Sequence, residues 1–101
     1  MASHFYYVYV LESLVDKSWY IGFTPNIPEL RLEKHNVLQV TYSKRKAPWK
    51  IIYYEAYTHR SDATGREKFL KSGSGHRFIR KQICNYLDIA KAGEEKKNLT
   101  I

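Results

Sequence analysis

One cysteine, Cys84, among 101 residues excludes an intrachain disulfide and a cysteine-built zinc site, so packing must supply the stability. Beside Ile83, it reads as a small buried apolar side chain. No apolar run approaches the roughly 18 residues a membrane span requires, and the opening Met-Ala-Ser-His-Phe lacks the charged-then-apolar order of a secretory signal. A soluble, cytoplasmic protein with no membrane span is therefore expected. Acidic residues are scarce, ten Asp plus Glu against seventeen Lys plus Arg, and the formal charge of +7 favours a polyanion, either nucleic acid or an anionic membrane surface. No internal repeat is visible. With 44% hydrophobic and 15% aromatic residues the chain can bury one core but not two, which predicts one domain over residues 1–90 and a polar, frayed tail over 91–101.

Phe5 to Leu11 is almost wholly aromatic or β-branched, as in a strand covered on both faces. A polar loop, Ser13 to Ser18, separates it from a second strand, Trp19 to Thr24, and the two form a hairpin. Asn26 with Glu29 resembles a capping box and Pro28 suits a first helical turn, so a helix is expected from Ile27 to Leu38, burying Ile27, Leu30, Val37 and Leu38. Arg31 and His35 then fall at the border of that stripe, one turn apart. A basic connector, Gln39 to Lys50, leads to a third strand, Trp49 to Tyr57. Ser61 or Asp62 can cap a helix through Ser72 whose inner stripe holds Ala63, Glu67 and Leu70. Gly73-Ser74-Gly75 breaks it, and a last helix runs from Arg77 to Ala90 on Ile79, Ile83, Leu87 and Ala90. The order β-β-α-β-α-α predicts an α+β domain, a small antiparallel sheet flanked by helices.

Tyr7-Val8-Tyr9, followed by Tyr20-Ile21-Gly22, resembles the paired tripeptides of the GIY-YIG nuclease family, in the manner of its small stand-alone bacterial members. The second tripeptide matches literally and the first keeps its tyrosine, Tyr9. The resemblance continues through Arg31-Leu32-Glu33-Lys34-His35-Asn36, Pro48 to Glu55, and Arg66-Glu67-Lys68-Phe69-Leu70-Lys71. It implies a three-stranded antiparallel sheet and an endonuclease that hydrolyses phosphodiester bonds, most naturally in DNA. It also implies that Tyr9, Tyr20, Arg31, His35 and Glu67 are catalytic, with Glu67 holding Mg²⁺ or Mn²⁺. Two family features are missing: Phe23-Thr24 stands where a lysine is usual, and no asparagine counterpart follows Glu67. The segment before Arg31, with Pro25 and Pro28, is about one residue longer than usual, which bears on the phase of Arg31.

Chemically, Tyr9 or Tyr20 would take a proton from water, which for a phenol of pKa about 10 calls for nearby positive charge. Arg31 can fork onto a phosphate. His35 can relay a proton or bind phosphate, and Glu67 with its metal would stabilise the leaving oxygen. Each role has a plainer competitor. Tyr9 can be a core strand residue, Gly22 can mark a bulge or close approach, and Arg31 and His35 can be solvated helix positions. Glu67 can pair with Arg66, Lys68 or Lys71, the last being best placed on a helix. Tyr42, Lys44, Arg45, Lys46 and Trp49 interleave cations and aromatics suited to nucleic-acid contact, and Arg77 and Arg80 offer a second patch. His4, His59 and His76 read as surface residues. The predicted partner is nucleic acid, most naturally nucleoid DNA, with single strands slightly favoured and no stable protein partner. The rivals are a nucleic-acid-binding module of the same fold that cuts little or not at all, and a protein-binding module.

Overall fold

The computed structural model describes residues 4–37 and 44–90. Alternate side chains of a strand point to opposite faces, so an aromatic and β-branched run can fill two cores at once. β1 (Tyr6–Ser13) does this from the centre of a three-stranded antiparallel sheet, between β2 (Trp19–Thr24) and β3 (Trp49–Tyr57). Val8 and Val10 are fully buried with Ile21, Ala63, Leu70 and Ile79, beneath α2 (Arg60–Lys71) and α3 (Gly73–Gln82). Tyr9 and Leu11 point the other way and pack with Trp49 and Leu32, beneath α1 (Pro28–Asn36). A 3-10 turn, Lys44–Lys46, precedes β3, and residues 84–90 form a short helix, α4, after a turn at Ile83. The class is α+β in the expected order, with the last helix divided in two.

Several local expectations need correcting, among them the cap of α2, which is His59, its Nδ1 accepting from the Ser61 amide, rather than Ser61 or Asp62. Ile27, Leu30 and Val37 do not form the buried stripe of α1, being 50%, 50% and 54% exposed; Leu38 and Tyr42 lie outside the described residues. Instead, Pro28 and His35 are buried, with Leu32 packed between them in sequence, because the face beneath is made of phenols and Trp49 rather than aliphatic side chains. No capping box forms: Ile27 is the N-cap, and Pro28 starts the helix through its fixed φ. Cys84 is exposed.

Ser72 turns the corner between α2 and α3, its hydroxyl donating to the Phe69 carbonyl (2.6 Å) and accepting from the Gly75 amide (3.1 Å). α2 thus ends before Gly73 as expected, and Gly73-Ser74-Gly75 opens α3 ahead of the expected start at Arg77. A Cβ on Gly75 would lie 2.0 Å from the Phe69 carbonyl oxygen and 2.4 Å from Leu70 Cα, so the close corner needs glycine. At the other end of α1, the Asn36 amide pairs with the backbone of Trp49, receiving its N–H at 2.6 Å and donating to its carbonyl at 3.0 Å. That double bond pins the helix to the start of β3.

Candidate active site

Tyr9 lies mid-strand opposite Gly22 on β2 and Tyr54 on β3, 1% exposed. The register puts its phenol above Gly22, where a Cβ would come 2.5 Å from Tyr9 Oη and 3.1 Å from the Tyr20 ring. Gly22 is therefore the floor of the site, the close-approach reading of the second tripeptide. Tyr20 stacks on Tyr9 with ring centroids 6.4 Å apart and meets the His35 ring at 4.5 Å. The fully buried His35 places Nε2 3.2 Å from Tyr9 Oη. The two motif tyrosines, the helix histidine and Arg31 thus converge on one face of the sheet.

Electrostatics define the protonation states. Burial raises the Tyr9 pKa to about 12, outweighing a hydrogen bond and positive charge from Arg31 that act downward; Tyr20 and Glu67 add to the rise. The expectation that positive charge would bring this phenol down is not met. Burial, then Arg31, lowers the His35 pKa to about 4. Near neutral pH both groups are uncharged. With the imidazole proton on Nδ1, the phenol donates to His35 Nε2 while its oxygen accepts from Arg31; the opposite tautomer reverses the Tyr9–His35 bond. Arg31 Nε is buried without a hydrogen-bond partner, a costly state that an anionic oxygen would relieve.

Glu67 comes from α2, on the opposite side of the sheet, yet its charge is felt at Tyr9. Its side chain is 22% exposed, and its Oε2 pairs with Lys71 Nζ at 3.1 Å, one helical turn on. The described residues contain no group of three or more His, Cys, Asp and Glu side chains arranged to hold an ion. The donor set is thus one partly exposed carboxylate with its other oxygen outside the ion pair. It fits a hard cation that keeps its waters, provided the cation competes with Lys71.

Trp49, expected to stack on bases, is 3% exposed and wedged against Tyr20 and His35, a wall of the site rather than a platform. Arg45 is exposed, while Lys46 pairs with Asp16 at 3.5 Å. Arg77 bonds Ser74, and the Arg80 guanidinium lies 5.7 Å from the Trp19 ring centroid. Sequence reading passed over Glu12 and Trp19. Glu12, 5% exposed, accepts from Trp19 Nε1 and Tyr86 Oη at 3.2 and 2.8 Å; a lone acid in a strand otherwise apolar was the available signal.

A sheet sandwiched between one helix and a helical pair, carrying stacked phenols, an imidazole and a guanidinium on the one-helix face, defines a small α+β domain with a compact acid–base site. Residues 5–80 match the GIY-YIG catalytic domain, and the chain belongs to that nuclease family. Its relatives include a UPF0213 protein of Limosilactobacillus reuteri, 39% identical over 70% of this chain and 75% of that one. Another, UPF0213 protein SH2523 of Staphylococcus haemolyticus, is 36% identical over 73% of this chain and 87% of its own. The solution structure of UPF0213 protein BH0048 from Bacillus halodurans is similar over 78% of this chain and 85% of that one, at 26% identity and a TM-score of 0.49.

Proposed function

We propose that this chain is a metal-dependent endonuclease that hydrolyses phosphodiester bonds in DNA, favouring single-stranded or structured DNA, and that it works in the cytoplasm at the nucleoid. The observation that carries the proposal is the 3.2 Å contact between Tyr9 Oη and His35 Nε2 beside the unpaired Nε–H of Arg31. A phenol held near pKa 12 is a poor base by itself. It need not ionise, however, if it takes the water's proton while its own passes to the neutral His35. A phosphate on Arg31 offsets the charge that opposes imidazolium formation, so substrate binding makes His35 a better acceptor. Arg31 then holds the charge that grows on the equatorial oxygens. Glu67 would hold Mg²⁺ or Mn²⁺, which when bound supplies Lewis-acid relief of charge on the departing 3′ oxygen.

The test incubates labelled single-stranded and duplex DNA with Mg²⁺ or Mn²⁺ and compares wild type with Tyr9→Phe, His35→Ala and Glu67→Ala. Cleavage should fall by at least about a hundredfold in each variant. Cleavage that survives all three, or is absent from the wild type, overturns the proposal. The Lys71–Glu67 pair and the raised Tyr9 pKa favour a second reading, a nucleic-acid-binding module with little or no catalysis. Salt-sensitive binding without cleavage at any metal concentration would establish it.

A further inference from the structure

Beyond the catalytic cluster, two cavities lie side by side along edge strand β2 and share Trp19 and His76. One, of about 320 Å³, is bounded by Tyr20 and Lys71. The other, of about 370 Å³, is bounded by Lys17 and Arg80 and has Glu12 in its wall. The first adjoins the candidate active site through Tyr20, which stacks on Tyr9, and through Lys71, the partner of Glu67. The second carries the groove past the Trp19 ring to a basic rim.

We propose that a single-stranded stretch of the substrate leaves the active site along this groove, with one unpaired base stacked on Trp19 between His76 and Arg80. The platform is built rather than incidental. The Trp19 indole is tied by Nε1 to the buried Glu12 and packs on the core, so stacking costs little further ordering. His76 and Arg80 flank the ring at 5.8 and 5.7 Å. Arg80 sits over the π face, and an incoming base takes that face by displacing the guanidinium outward, where it can meet the base's phosphate.

Charge selects the occupant. Glu12 spends both carboxylate oxygens on Trp19 and Tyr86, with Lys50 Nζ 3.9 Å away, and exposes only 5% of its surface. The groove therefore presents Lys17 and Arg80, with Lys71 engaged by Glu67 at its other end. Lys17 stands at the groove's mouth in the β1–β2 turn, its amide bonded to the Ser13 carbonyl. A duplex would have to be unstacked to lay a base on an edge-strand tryptophan, whereas a single strand would not.

The inference rests on the nuclease reading for the strand's direction, and its test is separable from cleavage. With chelator present and no metal, oligothymidylate is titrated against tryptophan fluorescence. We expect quenching at low salt, little quenching by an abasic oligomer of equal length, and none in Trp19→Phe, which leaves only the 3% exposed Trp49. His76→Ala and Arg80→Ala should each weaken binding several-fold, about tenfold together. Equal quenching by the abasic oligomer or by polyglutamate overturns the proposal in favour of simple charge binding or an acidic protein partner. Cleavage with no base-dependent quench sinks this groove alone, whereas base-dependent quenching with no cleavage in Mg²⁺ or Mn²⁺ sinks the nuclease reading and leaves the platform. Should Trp19→Phe fail to fold, the two oligomers on wild type decide.

Discussion

Tyr9 has room for its phenol only because residue 22 has no side chain. Any Cβ there must push Oη out of its 3.2 Å contact with His35, and the phenol, 1% exposed, has nowhere to swing. Gly22→Ala should therefore lower the cleavage rate about a hundredfold, in line with misplacing a proton-transfer group by an ångström, while the domain still folds. Circular dichroism beside kcat checks this, and a rate within threefold of wild type would show that the phenol's position is not critical. His35 carries a second prediction. Its folded pKa is about 4 against an ordinary 6.5, so the unfolded chain binds more protons between those values. The resulting stability is fully present above pH 6.5 and is lost as pH falls toward 4. Denaturation midpoints measured from pH 7.5 to 4 should fall for wild type and fall less for His35→Gln; parallel curves would mean that His35 does not titrate as its burial requires.

Between elements, the most heavily bonded tie is Glu55 of β3. Its carboxylate accepts both Nε and Nη2 of Arg66 on α2, at 2.8 and 3.1 Å, and the phenols of Tyr53 and Tyr57. Every acceptor position is used, so the group serves structure, and Glu55→Ala strands a partly buried guanidinium. The loss should approach about 3 kcal/mol, read from urea unfolding, with cleavage per folded molecule unchanged; a loss below about 1 kcal/mol would place the β3–α2 tie elsewhere. Such ties also separate what the sequence made legible from what it hid. β1 and β3 could be read from composition because both are rich in aromatic and β-branched residues, β1 buried on two faces and β3 a partly exposed edge strand, and Ala63 and Leu70 disclosed the inner side of α2. The roll of α1 was hidden because its buried positions are a proline and a histidine, types that hydropathy ranks as surface, while Ile27, Leu30 and Val37 face outward and Leu32 alone of its aliphatic residues packs inward. The Ser72 corner was hidden too, since a Gly-Ser-Gly run reads as a breaker until the Phe69 carbonyl is known to press on Gly75. Of the site residues, Arg31 and His35 were nameable from motif spacing, whereas Trp49 as a wall and Glu12 as an anchor follow from tertiary contacts no local pattern encodes.

Over the whole molecule, the formal charge is +7. Two basic patches far apart in sequence meet at the β1–β2 turn: Lys46 through its pair with Asp16, and Arg80 through the Trp19 ring. Lys17 stands between Asp16 and Trp19 in that turn, so a phosphate chain following β2 would meet cations from three segments. Counterion release then predicts a steep loss of affinity with salt, the slope of log K against log salt being about −0.7 for each phosphate neutralised on a single strand. Arg80→Ala and Lys17→Ala should each make that slope shallower by about 0.7, and additively, if each cation meets its own phosphate. Lys68→Ala, at an exposed position of α2, should leave it unchanged. Titrations of oligothymidylate from 50 to 300 mM salt measure all three. If Lys68→Ala changes the slope as much as the other two, the excess charge acts as a diffuse cloud, and the meeting of the patches at the turn has no part in binding.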